Sequence, residues 1–272
     1  MMFLAIDIGN TGTKFGLFKQ DESFEMTFHF PTASIIADEN IKTELLPKIA
    51  ALGTLDSIII ASVVPKASEA LTEILACSHE EAKIKVLKNS DVPIVNTYHT
   101  PEQVGIDRLL SSLAAYRMFG KEAKKPLIVI SLGTATTIDC VNADGEYLGG
   151  IITLGVESSA KYLHHIAAQL PEIDLAFPKN ILGKTTTESI QSGIMNGAIA
   201  MIEGLVQKLH QENFAGKEVI VITTGGLSEF FKGKVSMINH LAPHLVLEGI
   251  AFTVSKQFYH DRTRTFTHHS GA

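Results

Sequence analysis

Ile6-Asp7-Ile8-Gly9-Asn10-Thr11-Gly12-Thr13, near the start of the chain, has the same outline as Ile130-Ser131-Leu132-Gly133-Thr134-Ala135-Thr136-Thr137, near its middle. Each is a short apolar run that stops at a glycine, crosses a threonine-bearing loop and enters a second apolar run. Apolar runs of this length bounded by turn residues read as buried strands. The two copies stand about half a chain apart, which predicts a duplicated domain rather than a short-period solenoid. Glycine lets a ligand approach the backbone closely, and threonine hydroxyls and loop amides suit phosphate oxygens. Either loop alone would serve as a hairpin turn. Two matched loops, each heading its own domain, point to a clamp on the phosphates of one nucleotide.

Working outward from the first loop, strands are expected at 3–8, 15–18 and 24–30, a β-meander. A helix follows at 41–52, and a buried strand at 57–61 runs into Ser62-Val63-Val64-Pro65. Another helix is expected at 67–76 and a strand at 83–87. Pro101 suits the first turn of a helix reaching Phe119, with Gly120 as its stop. The lysine-rich stretch Lys121 to Lys125 reads as a solvated link. It divides the chain into an N-terminal domain, 1–119, and a C-terminal domain, 120–272. The second half repeats the opening with strands at 127–132, 137–141 and 147–152, the last two joined by the turn signal Asp144-Gly145. Helices are expected at 158–170 and 187–211. Gly193, Gly197 and Gly204 inside the second suggest close packing or a kink. A strand at 219–223 runs into Gly225-Gly226, a helix spans 245–258, and the polar tail from Asp261 is expected to fray.

Composition narrows the function classes. The chain is 45% hydrophobic and 19% charged, with a formal net charge of −6. Core material is ample, and a chain this acidic is a poor partner for nucleic acid or an anionic membrane surface. No apolar run approaches the length of a membrane span. With no signal peptide legible at the start, a cytoplasmic location is expected. Cys77 and Cys140 show neither disulfide nor zinc spacing and read as small buried hydrophobes.

Several motifs can be set aside. Gly183-Lys184-Thr185 mimics the end of a P-loop, but Pro178 stands where that motif needs its first glycine, and no strand leads into it. No GxGxxG follows a strand. The adjacent pair His164-His165 points in two directions on a helix, a poor metal site. Thr223-Thr224-Gly225-Gly226 reads either as a tight turn or as a flat bed for a nucleotide's base or ribose. Asp107 and Arg108 read either as a helix-surface ion pair or as a carboxylate placed to take a proton from a substrate hydroxyl, with its neighbour.

The ordered series is distinctive. Asp7-Ile8-Gly9-Asn10-Thr11 opens it, followed by Ser62-Val63-Val64-Pro65, Tyr98-His99-Thr100-Pro101 and Gly105-Ile106-Asp107-Arg108. Gly133-Thr134-Ala135-Thr136-Thr137, Gly149-Gly150, Gln191-Ser192-Gly193 and Thr224-Gly225-Gly226 complete it. To about Gly249 the chain resembles the type III pantothenate kinases. The resemblance implies an α/β chain of two ribonuclease-H-like domains of the actin/hexokinase superfamily with the nucleotide cleft between them. It also implies a homodimer that moves the γ-phosphoryl of ATP to the primary hydroxyl of pantothenate with Mg2+, the first step of coenzyme A synthesis. By the same resemblance, Asp7, Ile8, Gly9, Asn10, Thr11, Gly12, Thr13 and Lys14 would hold the ATP phosphates, with Gly133 and Thr134 from the other domain. Tyr98, Gly105, Ile106, Asp107, Arg108 and Thr186 would contact pantothenate, and Asp107 would accept the proton. The family's second loop usually carries an aspartate that helps hold a monovalent cation, K+ or NH4+. This chain has Ser131 there, which puts the cation in question and opens the alternative of a catalytically weakened, regulatory nucleotide- or pantothenate-binding protein.

Overall fold

In the computed structural model, which describes residues 2–19, 21–37, 41–79, 81–167 and 169–254, the opening apolar run is strand β1 (Met2–Ile8). It turns back as β2 (Gly12–Lys19) and then β3 (Phe24–Pro31). Helices α1 (Thr32–Ala37) and α2 (Ile41–Ala50) lead to β4 (Ser57–Ser62); α3 (Pro65–Ser78) leads to β5 (Lys83–Val86), and α4 (Ile106–Ala115) comes later. The sheet order is β3-β2-β1-β4-β5, antiparallel from β3 to β1 and parallel from β1 to β5. Parallel neighbours need a crossover, and the helices supply it. Alternate strand residues face opposite ways. Leu4, Ile6, Ile8, Phe15, Ile58 and Ile60 pack with Leu45, Ile49 and Leu71 of α2 and α3. Ala5, Asp7, Lys14 and Gly16 face the other side. There a last helix, residues 245–254, covers the sheet: a Cβ on Gly16 would lie 3.0 Å from Leu247 Cδ1.

The second sheet is built from β6 (Val95–Asn96), β7 (Leu127–Leu132), β8 (Ala135–Val141), β9 (Glu146–Leu154), β10 (Ile220–Thr224) and β11 (His240–Leu241). Its order is β11-β10-β7-β8-β9-β6. From β9 to β11 both the order and the pairing senses repeat those from β3 to β5, so the ribonuclease-H-like arrangement occurs twice. Ile128, Ile130, Leu132, Ile138 and Cys140 pack against α5 (Val156–Ile166) and α6 (Thr186–Asn213) through Val156, Met195 and Ile202. Gly145 makes the expected turn with φ +84°, its amide bonded to the Asn142 carbonyl.

Where the chain is densest in contacts with itself, it forms two units. One holds residues up to 95, 99–114 and those from 245; the other holds 96–98 and 115–244. The single cut expected at 119/120 therefore differs from this division at both ends. The physical reason is the packing of the last helix on α4, where a Cβ on Gly249 would overlap the Leu110 carbonyl. Helical periodicity announces that helix but not its partner.

Other expectations change in detail. The helix expected from Pro101 to Phe119 is split: a 3-10 turn at Pro101–Gln103, extended backbone at Val104, then α4 and a π-helical turn at Tyr116–Gly120. The glycines of α6 do not pack closely, since nothing lies within 4 Å of a Cβ added to Gly193, Gly197 or Gly204. Cys140 is buried as expected, but Cys77 is exposed. The sequence reading lacks α1, β6 and β11, which are too short to show a period. Positions 255–258 of the last expected helix and the tail from Asp261 lie outside the described residues. Among the described residues no helix is long and apolar enough to cross a membrane.

Candidate active site

Asp7 is the penultimate residue of β1. It stands opposite Lys14 of β2 and beside Ala61 of the parallel strand β4. Directly opposed residues of an antiparallel pair project to the same face, so acid and base share one face at the carboxyl end of the parallel strands. That is where open α/β sheets receive ligands. The Asp7 side chain keeps some contact with solvent, yet protein atoms crowd it. Burial pushes its pKa up to about 7, against the pull of Lys14, and the charge of Asp107 adds to the rise. Asp107 lies in the first turn of α4, so the first unit brings Asp7, Lys14 and Asp107 into electrostatic reach of one another.

The Asp107 carboxylate is held at the entrance to α4. Its Oδ1 accepts the Arg108 amide at 2.9 Å. Burial raises its pKa, opposed by that amide and by the Arg108 charge. Gly105 stands close beside it: a Cβ there would lie 2.5 Å from Asp107 Oδ1 and would push that carboxylate out of its present position. The Gly105 carbonyl caps the turn by accepting the amides of Arg108 and Leu109. Ile106 and Arg108 are buried. A carboxylate lifted above its ordinary range but still ionisable suits proton acceptance from a hydroxyl.

Between β1 and β2 the loop closes through the Gly9 amide on the Gly12 carbonyl at 3.1 Å. Asn10 and Thr11 are exposed at its tip, and Thr13 is buried beneath. The counterpart loop between β7 and β8 closes through the Gly133 amide on the Ala135 carbonyl at 3.1 Å. Ile8 pairs with Thr13 in the first, Leu132 with Thr136 in the second, so the second loop is one residue shorter. The ungapped alignment of the two stretches thus shifts by one after the loop: Lys14 corresponds to Thr137, and Thr13 to Thr136. The Thr134 carbonyl accepts the Gly155 amide at 3.0 Å and the Ser158 hydroxyl at 2.8 Å.

Ser131 occupies the place of Asp7. Its neighbours across the sheet are Thr137 and Thr224, so three hydroxyl residues stand where the first unit has a carboxylate, an ammonium and an alanine. The nearest carboxylate along β8 is Asp139, buried, which accepts hydrogen bonds from Thr137 Oγ1 at 3.0 Å and from the Tyr147 hydroxyl at 2.8 Å. Gly225 follows β10 with φ +95° and lies against Leu132, where a Cβ would come 2.5 Å from the Leu132 carbonyl oxygen.

Tyr98 belongs to the second unit. The amide and hydroxyl of Thr97 both donate to the Tyr147 carbonyl, at 3.0 and 2.9 Å. That anchor lays the Tyr98 ring over Gly149, where a Cβ would come 3.4 Å from it. Tyr98 remains 38% exposed. Thr186 is the exposed first residue of α6, just after Thr185, whose hydroxyl caps the helix by accepting the Glu188 amide at 3.2 Å. Within the second unit, then, Gly133 and Thr134 share the loop that follows Ser131 of β7, whereas Tyr98 and Thr186 sit on other elements. The sequence reading missed Thr32, and it missed the bracing role of Gly155; these two residues brace the two loops. The only local signal for Thr32 is a threonine at a helix start.

A profile of the family described as type III pantothenate kinase matches residues 3–208. The type III pantothenate kinase of Persephonella marina is 36% identical over 263 residues, covering 92% of this chain and 96% of its own. The chain belongs to the type III pantothenate kinases. Its two ribonuclease-H-like units have the actin/hexokinase fold. A conserved Campylobacter jejuni protein assigned to the Baf transcriptional-activator family shares it, with a TM-score of 0.60 at 18% identity over 94% of this chain and 99% of that one. So does the activator of 2-hydroxyisocaproyl-CoA dehydratase from Clostridium difficile, solved with bound ADPNP, with a TM-score of 0.53 at 11% identity over the full length of both.

Proposed function

We propose that this type III pantothenate kinase transfers the γ-phosphoryl group of ATP to the primary hydroxyl of pantothenate. The product is 4'-phosphopantothenate, and the step is the first of coenzyme A biosynthesis. The observation that carries the reading is the convergence of Asp7, Lys14 and Asp107 at one end of the first sheet, next to the loop Gly9–Gly12. Phosphoryl transfer needs positioning and charge compensation more than covalent chemistry. The segment Asp7 to Lys14 receives the phosphates, with Lys14 offsetting their charge, and Gly133 and Thr134 of the matched loop serve the same nucleotide. Asp107 takes the proton of the attacking hydroxyl. Tyr98, Gly105, Ile106, Arg108 and Thr186 hold pantothenate.

Among the described residues no three His, Cys, Asp or Glu side chains gather as a metal cage. Magnesium commonly enters with substrate phosphates and needs only one or two protein carboxylates, which fits Asp7. When bound it would neutralise phosphate charge. The hydroxyls around Ser131 offer oxygen atoms without charge and do not fit a tightly held monovalent cation, so no step is assigned to one. We further infer a cytoplasmic homodimer. Exposed Ile152, Leu154, Ile166, Ile181 and Leu182 on the second unit, together with the bare face of α6, supply apolar surface for a second copy.

The test is purified protein with ATP, magnesium and pantothenate, assayed for phosphopantothenate with and without potassium or ammonium. Asp107→Asn, which keeps shape but removes the proton acceptor, is expected to lose roughly 100- to 10,000-fold in turnover with folding intact. No product from the wild type, or wild-type turnover by the variant, would overturn the assignment in whole or at Asp107.

A further inference from the structure

Thr32, the first residue of α1, is 1% exposed, and it reaches the phosphate loop from beneath. Its amide donates to the Thr11 carbonyl at 3.0 Å. Its hydroxyl donates to the Gly9 carbonyl at 2.7 Å. A hydroxyl has one proton, so in the 3.0 Å contact between the Thr32 and Thr13 hydroxyls the donor is Thr13. A buried chain results, running from the Thr13 hydroxyl through that of Thr32 to the Gly9 carbonyl. Each peptide unit is planar. Fixing the carbonyls of Gly9 and Thr11 therefore fixes the planes that carry the amides of Asn10 and Gly12.

The second unit braces its loop differently. The Gly155 amide repeats the Thr32 bond, donating to the Thr134 carbonyl at 3.0 Å. Yet Gly155 has no side chain, and a Cβ there would overlap the carbonyls of Gly133 and Thr134. Thr136, at the register position of Thr13, is buried and its hydroxyl finds no hydrogen-bond partner among the described residues. The hydroxyl relay is thus a feature of the first loop and not a general requirement of the repeat.

We propose that Thr32 is a positioning residue for nucleotide: its hydroxyl sets the peptide planes of the Gly9–Gly12 loop that receive the phosphates of ATP. The inference rests on the assignment of that loop to ATP. It predicts an effect on nucleotide affinity that leaves pantothenate affinity alone. Thr32→Val keeps the branched shape and the backbone donor but removes the hydroxyl; Thr32→Ser restores it. With steady-state kinetics, Thr32→Val is expected to raise KM for ATP roughly tenfold, the effect of losing a buried hydrogen-bond pair. KM for pantothenate should stay within about twofold, and Thr32→Ser should recover most of the loss. Titration of ATP with magnesium by calorimetry, without acceptor, gives a second readout that does not depend on pantothenate being the substrate. If Thr32→Val is not recovered folded, Thr32→Ala against Thr32→Ser provides the same comparison. Unchanged ATP affinity in the hydroxyl-free variant, failure of serine to rescue, or an equal rise in both KM values would overturn the inference. A wild type that binds ATP but phosphorylates no pantothenate would sink the assignment of substrate and leave this inference to its own test. A wild type that binds no ATP would sink both.

Discussion

Proton bookkeeping at Asp7 turns burial into a measurable pH dependence. Its pKa of about 7 in the folded chain stands above its ordinary 3.8. Below the lower value both folded and unfolded chains hold the proton, and nothing is lost. Between the two values the folded state keeps a proton that the unfolded state releases, so stability falls as pH rises through that window and levels off above it. Burial of a charge near Asp107 is the cause, and a bound cation would reverse it by favouring the carboxylate. ATP with magnesium should therefore displace a proton from the enzyme when it binds just below neutral pH, and Asp7→Asn should abolish that release. Calorimetry in two buffers of different ionisation heat measures the proton count. Release that persists in Asp7→Asn, or none in the wild type, would remove Asp7 from the nucleotide site. The identity of this residue was legible, because it interrupts an apolar strand just before a glycine. Its partner Asp107 was legible only as one of two readings. What separates a surface ion pair from a buried base is the desolvation around it, which no spacing records.

At the scale of strands and loops, the matched stretches were legible because both are bounded by residue types that dictate their ends. The strand expected at 127–132 is observed at Leu127–Leu132, and the opening strand differs from expectation by one residue. The one-residue difference between the two loops escaped notice, since cross-strand register comes from pairing and not from a shared outline. The split before α4 escaped as well: Pro101 does start a helical turn, but the chain straightens at Val104 to bring Gly105 against Asp107. The corrected register sharpens one prediction. Ser131 lies between Thr137 and Thr224, so Ser131→Asp would place a carboxylate among hydroxyls in a setting that lacks the lysine found opposite Asp7. In a partly dry site such a charge attracts a cation more strongly than in bulk water. The variant should gain saturable activation by potassium at fixed ionic strength, and the wild type should be stimulated less. Strong potassium activation of the wild type would mean that neutral oxygens suffice.

For the molecule as a whole, the repeated sheet order was foreseeable from the duplicated stretch, and the return of the last helix to the first unit was not. That return predicts an asymmetric response to truncation. A chain ending at residue 244 lacks the cover over Gly16 and Leu110, whereas a chain ending at residue 254 keeps it. Hydrogen exchange should show protection lost in β1 to β5 and retained in β7 to β10 for the shorter chain, with little change for the longer one. Equal loss in both sheets would show that the second unit also depends on that helix. The same closure has a consequence for synthesis on the ribosome. Most multidomain chains complete their N-terminal part first, at about 5–20 residues per second. Here the N-terminal sheet emerges early but lacks its last helix until the stretch 115–244 has been made, a delay on the order of ten seconds. The part of the chain translated second can finish folding first, and through that interval the nascent Ala5–Gly16 surface is what a ribosome-associated chaperone would meet.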